Sequence, residues 1–107
     1  MKKIIKYQLP NGKIPFDDWF YSLDKTKKAE VIIRLERCKL GLLGKHRNLT
    51  KGITELKFFS GERIYISQRN DVIIVLLNAG DKKRQSDDIA NALKFIQDYN
   101  ERMSDHE

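Results

Sequence analysis

Two short stretches, ITELKFF (53–59) and RIYISQ (63–68), hold the side chains with the most chemical capacity. In a strand, alternate side chains point to opposite faces. Leu56 and Phe58 then point one way, and Glu55 and Lys57 the other. Ile64 and Ile66 point one way, and Arg63 and Tyr65 the other. The apolar sets must face a core, so Glu55, Lys57, Arg63 and Tyr65 are expected to share the opposite, open face. A Ser60-Gly61 link makes the two strands neighbours. The basic loop Lys82-Lys83-Arg84 leaves the end of the next strand and is expected to overhang the same face.

Such a face suits phosphate chemistry. Lysine and arginine bind phosphate oxygens, arginine in a bidentate way. They also stabilise the extra charge of a pentacovalent phosphorane. Lys57, crowded by Arg63, is a candidate general base on a ribose 2′-OH. Tyr65 is a candidate for stacking on a base. A plainer reading stands beside this one: Glu55 pairs with Arg63 across the strands and Lys57 is solvated, since antiparallel sheets often keep one polar face. No metal site is expected. His46 and His106 stand alone, without carboxylates or thiols at ligand spacing.

The elements that must position these groups follow from pattern. KIIKYQL (3–9) reads as a first strand and ends at the turn signal Pro10-Asn11-Gly12. Phe16, Trp19, Phe20 and Leu23 mark one helical face. Pro15 sits at the first helical position, and Asp17 and Asp18 favour the positive end of the dipole. A second helix is expected over about 26–42, with the break at Asp24 to Thr26 capping it. Val31, Leu35, Cys38 and Leu42 form its stripe; Lys27, Lys28, Arg34, Arg37 and Lys39 lie mostly off it. Residues 43–52 read as a basic loop. Three strands follow: ITELKFF, RIYISQ and VIIVLLN (72–78), joined by short turns as an antiparallel meander. The last is apolar on both faces, which predicts an interior, twice-covered position. Ala79 to Arg84 read as a loop. Ser86 is expected to cap a final helix, with Asp87 and Asp88 in its first turn and the tail from about 103 to 107 frayed. The order is β-α-α-β-β-β-α, an α+β fold.

The chain has 107 residues, 40% hydrophobic and 34% charged, which suits a single domain spanning 1–107. The net charge is +6. It is uneven: residues 1–57 carry +8 and residues 58–107 carry −2. A basic domain fits an anionic partner such as nucleic acid or an acidic protein. The longest apolar run, Val72 to Leu77, is too short for a bilayer, so no membrane role is expected. The N-terminus has no long apolar core of a signal peptide. The single cysteine, Cys38, lies in the apolar stripe of the second helix. It is expected to be a buried, inert thiol, in keeping with a cytoplasmic location.

The ordered set of motifs from Gly52 to Lys57, Gly61 to Tyr65, Leu76 to Gly80, Asp81-Lys82, Gln85 and Asp88-Ile89 resembles the RelE/ParE superfamily of toxins. Within it, the chain is most similar to the HigB-like addiction module killer proteins of type II toxin–antitoxin systems. Phe16, Trp19, Leu23 and Arg34-Leu35 also fit, so the likeness spans about residues 4–98. The resemblance implies a RelE-like sheet-and-helix fold and an mRNA endonuclease, often ribosome-dependent, that works without a metal or other cofactor. Its 2′-OH attack would leave a 2′,3′-cyclic phosphate. It implies a cognate antitoxin, often of helix-turn-helix type, and contact with operator DNA only through the antitoxin complex. Residue by residue, it carries over Lys57, Arg63 and Lys82 as catalytic. Tyr65, Lys83, Arg84 and Glu55 are the RNA-binding candidates. The relatives commonly place a tyrosine near the start of the last helix, where this chain has Asp87 and Asp88; Lys82 or Lys83 is then the candidate donor to the 5′-oxygen. A ParE-like inhibitor of DNA gyrase and a partner-binding corepressor are the alternatives.

Overall fold

The computed structural model describes residues Met1–Ser104. It has an α+β architecture with three helices and one mixed five-stranded sheet. The strands are β1 (Lys3–Lys6), β2 (His46–Asn48), β3 (Ile53–Lys57), β4 (Glu62–Arg69) and β5 (Ile73–Asp81), in the spatial order β1-β5-β4-β3-β2. The helices are α1 (Pro15–Phe20), α2 (Lys25–Lys39) and α3 (Gln85–Ser104).

The meander β3-β4-β5 forms as its turn chemistry predicts. Asn70 and Asp71 both take positive φ (52° and 58°), the pair of left-handed residues that a two-residue hairpin turn needs. The Val72 N–H closes that turn on the Arg69 carbonyl at 3.0 Å. Two features were not expected. β1 pairs in parallel with β5, Ile4 beside Ile74 and Ile5 beside Val75, so the sheet is mixed rather than purely antiparallel. The basic stretch 43–52 also contains a strand, β2, antiparallel to β3 with Arg47 opposite Glu55. All three β2 residues are exposed, so no apolar alternation marks them.

Helices cover both faces. Phe16 of α1 and Val31 and Cys38 of α2 pack on Leu56, Ile64, Ile66, Ile74 and Leu76. Ala92 and Ile96 of α3 pack on the other face, against Tyr7, Ile53, Tyr65, Val75 and Leu77. This two-sided cover explains the apolar run of β5, whose residues Ile74 to Leu77 are fully or almost fully buried. Pro15 opens α1, and Asp24 caps α2 by accepting from the Lys27 N–H at 2.8 Å. Cys38 is a free, fully buried thiol whose pKa burial pushes up.

The start of α3 differs from expectation. β5 runs to Asp81, and a 3-10 turn (Lys82–Arg84) leads directly into the helix. The cap is Asp81, which accepts from the Arg84 N–H at 3.1 Å, rather than Ser86. The helix continues to Ser104, so Met103 and Ser104 are helical; His106 and the rest of the expected frayed tail lie outside the described residues.

Candidate functional site

Register places Lys57 directly opposite Arg63, and Arg63 opposite Gly80. One row behind, Arg47, Glu55, Tyr65 and Asn78 follow one another across β2, β3, β4 and β5. Directly opposed residues in antiparallel strands share a face. Lys57, Arg63, Glu55 and Tyr65 therefore do share one face, the one that α3 partly covers.

That cover corrects two expectations. Glu55 and Tyr65 are both 0% exposed, so neither lies on an open surface. Tyr65 packs with Ala92 and Ile96 beneath α3 and is not placed to stack on a base. Its hydroxyl has no hydrogen-bond partner among the described residues, and burial together with the neighbouring Glu55 charge pushes its pKa up. Glu55 is not paired with Arg63. Its carboxylate accepts from Gln85 Nε2 at 2.7 Å and lies 3.3 Å from the Arg47 guanidinium. It holds the start of α3 and the edge strand to the sheet.

Lys57 and Arg63 remain half-buried at the rim of this cover. Arg63 donates through Nη1 to the Glu62 carbonyl at 3.0 Å and to the Phe58 carbonyl at 3.5 Å. Its other terminal nitrogen has no intramolecular bond among the described residues, which leaves it available to an anion. Lys82, Lys83 and Arg84 are exposed on the 3-10 turn that follows β5. Lys82 and Lys83 line a shallow depression of about 460 Å³ with Ser60 and Gly61 of the β3–β4 turn. The structure thus gathers Lys57, Arg63, Lys82 and Lys83 around one end of the sheet. Arg84 opens instead into a separate cleft beside α1.

Sequence reasoning missed three contributors. Phe59, at the tip of the β3–β4 turn between Lys57 and Arg63, is fully exposed. Its position in an alternating strand pattern had pointed to the sheet. Arg47 was hidden in a stretch read as a loop. Arg34 fits the motif order as part of Arg34-Leu35, but the sequence assigned it no role. It donates to the Leu43 carbonyl at 2.7 Å, to the Lys57 carbonyl at 2.8 Å and to the Lys45 carbonyl. Its guanidinium also lies 4.9 Å from the centre of the Phe58 ring. Gly44, with φ +69°, leaves the space that this guanidinium fills. Arg34 is therefore a positioning residue for the end of β3. Nothing in the spacing of helix bases distinguishes it.

No group of histidine, cysteine and carboxylate side chains suited to a metal occurs among the described residues. No described helix is long and apolar enough to cross a membrane.

No family model matches the chain. A protein of Haemophilus influenzae described only as uncharacterized is 33% identical over 88 residues, which cover 79% of this chain and 89% of that protein. The chain belongs to the same family as that protein.

Proposed function

We propose that this chain is the toxin of a type II toxin–antitoxin pair, a RelE-like endoribonuclease that cuts translated mRNA without a metal. The observation that carries the reading is the Lys57–Arg63 cross-strand pair, with the exposed Lys82-Lys83 turn closing the same end of the sheet. The order of motifs along the chain supports it, as does the excess of positive charge.

In this reading the free nitrogen of Arg63 holds a non-bridging oxygen of the scissile phosphate. Arg63 and Lys82 stabilise the charge that grows on the phosphorane. Lys57 takes the proton of the ribose 2′-OH, and the 2′-oxygen attacks phosphorus. The bond to the 5′-oxygen breaks, and Lys82 or Lys83 supplies that oxygen with a proton. The products are a 2′,3′-cyclic phosphate and a 5′-hydroxyl. Phe59 takes the stacking role first assigned to Tyr65. The basic rim is shallow and encloses little of a substrate, so the ribosome must present the strand.

The same positive rim attracts an acidic segment of the cognate antitoxin. Docking there blocks Lys57, Arg63 and Lys82. Inducing the chain in cells and mapping RNA 5′ ends by primer extension tests the function. Cuts within codons of translated mRNA are expected. Intact mRNA together with gyrase-dependent DNA breaks would replace this reading with the ParE-like one. Intact RNA and DNA with operator binding in the antitoxin complex would leave the corepressor.

A further inference from the structure

The start of α3 is anchored to two different strands. To β5 it is tied by Asn78, whose Nδ2 donates to the Asp88 carbonyl at 2.9 Å. Asp88 also packs closely on Gly80, where no Cβ stands in the way. To β3 it is tied by Gln85, whose Nε2 donates to Glu55 Oε2 at 2.7 Å. β4 lies between those two strands, so the Gln85 bond reaches across it. It ends on the strand that carries Lys57.

Glu55 is a costly residue for packing alone. It is 0% exposed, and a buried carboxylate costs more than an apolar group of similar volume unless it is well paired. Arg47 of β2 lies 3.3 Å from its other oxygen and balances the charge. What the carboxylate supplies is direction. A hydrogen bond to an ionised acceptor fixes distance and angle, and an apolar contact fixes neither.

Direction matters here because of what precedes Gln85. Lys82 and Lys83 are exposed on the 3-10 turn, and no side-chain bond among the described residues holds them. Their place is set by the two ends of that turn. At one end Asp81 accepts from the Arg84 N–H at 3.1 Å. At the other stands Gln85, the first residue of α3. The anchor to β5 alone would let the helix pivot and carry the turn away from Lys57 and Arg63. A misplacement of about 1 Å in such a constellation can cost about 10²-fold in rate.

We propose that Gln85 and Glu55 are positioning residues for the reaction: their hydrogen bond holds the Lys82-Lys83 turn against the Lys57–Arg63 row. The reaction is that of the proposed nuclease, so this role rests on that reading. Neither side chain touches the substrate; both act through Lys82 and Lys83.

One test needs no RNA. Inorganic phosphate is titrated into the full chain and followed by NMR at the Arg63, Lys82 and Lys83 amides, which should respond together. Gln85→Ala adds no charge but removes the donor, and should weaken phosphate binding by about fivefold. Exchanging the partners, Glu55→Gln with Gln85→Glu, rebuilds the bond with the same net charge and should restore the affinity to within about twofold. Should Gln85→Ala fail to fold, Gln85→Asn, whose amide is too short to reach Glu55, replaces it. On ribosomes programmed with mRNA, Gln85→Ala should lower kcat by about tenfold and leave KM within about twofold. In a Lys82→Ala, Lys83→Ala background the same change should cost less than about twofold, because the groups it positions are gone. A full loss in that background would mean general damage and overturn the proposal. So would unchanged phosphate affinity and kcat in folded Gln85→Ala, or a wild-type chain whose rim binds no phosphate. A wild-type chain that leaves mRNA intact, with phosphate affinity still dependent on Gln85, would remove the nuclease reading and leave the clamp standing.

Discussion

The two faces of the sheet are built on opposite principles. Beneath α1 and α2, Phe16, Val31, Cys38, Leu56, Ile64, Ile66, Ile74 and Leu76 make a core of apolar side chains and one thiol. Beneath the start of α3 the sheet presents Glu55, Arg63, Tyr65 and Asn78, and the helix itself adds Asp88. Among the described residues, five buried atoms there lack a hydrogen-bond partner: Glu55 Oε1, Arg63 Nε, Tyr65 Oη, Asn78 Oδ1 and Asp88 Oδ2. Glu55 Oε1 is compensated in part by the Arg47 charge. A fold selected for stability alone would fill this end with apolar groups, because each unsatisfied buried polar group costs about 1–3 kcal/mol. The first face holds the molecule together. The second carries unmet polar capacity next to the basic rim, which is where binding and chemistry are expected.

The comparison breaks most easily at the residue that ties the two regions together. Arg34 stands on α2 and reaches the carbonyls of Leu43, Lys45 and Lys57. Arg34→Ala removes three hydrogen bonds from a charged donor and should lower the unfolding free energy by about 3 kcal/mol or more, read by urea denaturation. A loss below 1 kcal/mol would mean that the 43–57 segment is held by other contacts.

Arg63→Ala should reduce RNA cutting by about 10²-fold, close to 2.7 kcal/mol of transition-state stabilisation, while costing much less in stability. Its two bonds to turn carbonyls give it a structural share, so thermal melting must accompany the rate measurement. Lys57 divides two mechanisms. If it is the base, Lys57→Arg should abolish cutting, because arginine does not give up its proton. Retention of most activity in that variant would reduce Lys57 to charge stabilisation. Phe59→Ser should weaken cutting by about tenfold if the ring stacks on a base, and leave melting unchanged because the ring is fully exposed.

The smallest effects are in stability against pH. Asp88 is raised by burial, so its ionised form destabilises the fold above its folded pKa, and that cost disappears as pH falls through this value. Asp88→Asn should therefore raise stability at neutral pH, by about 1 kcal/mol. Destabilisation by the same change would mean that the carboxylate is satisfied. At the alkaline end, burial and donation to Asp98 (2.7 Å) push Tyr7 from 10.0 up to about 12. Its contribution is complete below pH 10 and is lost as pH rises toward 12. Tyr65 moves in the same direction. Tyr7→Phe should make the fall in melting temperature over that window shallower; an unchanged slope would assign the fall to other groups.

The apolar face was legible in the sequence because periodicity is a direct record of burial. Phe16, Val31, Cys38 and the alternating Ile64 and Ile66 occupy the core expected of them. Alternation also placed Glu55, Lys57, Arg63 and Tyr65 on a common face. It could not say what covers that face, because cover depends on where α3 crosses the sheet. The expectation of an open face failed at Glu55 and Tyr65 for that reason. β2 was illegible because an exposed three-residue edge strand has no buried side to impose a pattern. Arg34 and Asp88 belong to the motif order, but only tertiary contacts show how each sits: Arg34 reaches three carbonyls, and Asp88 Oδ2 has no hydrogen-bond partner among the described residues.

The central claim concerns the Lys57–Arg63 row, and its products test it most directly. The wild-type chain and Arg63→Ala would be added to purified ribosomes programmed with mRNA, and the new 3′ ends analysed by mass spectrometry. The account predicts cuts within codons ending in 2′,3′-cyclic phosphate, reduced by about 10²-fold in the folded variant. Intact mRNA with the wild-type chain, or equal cutting by both proteins, would contradict it.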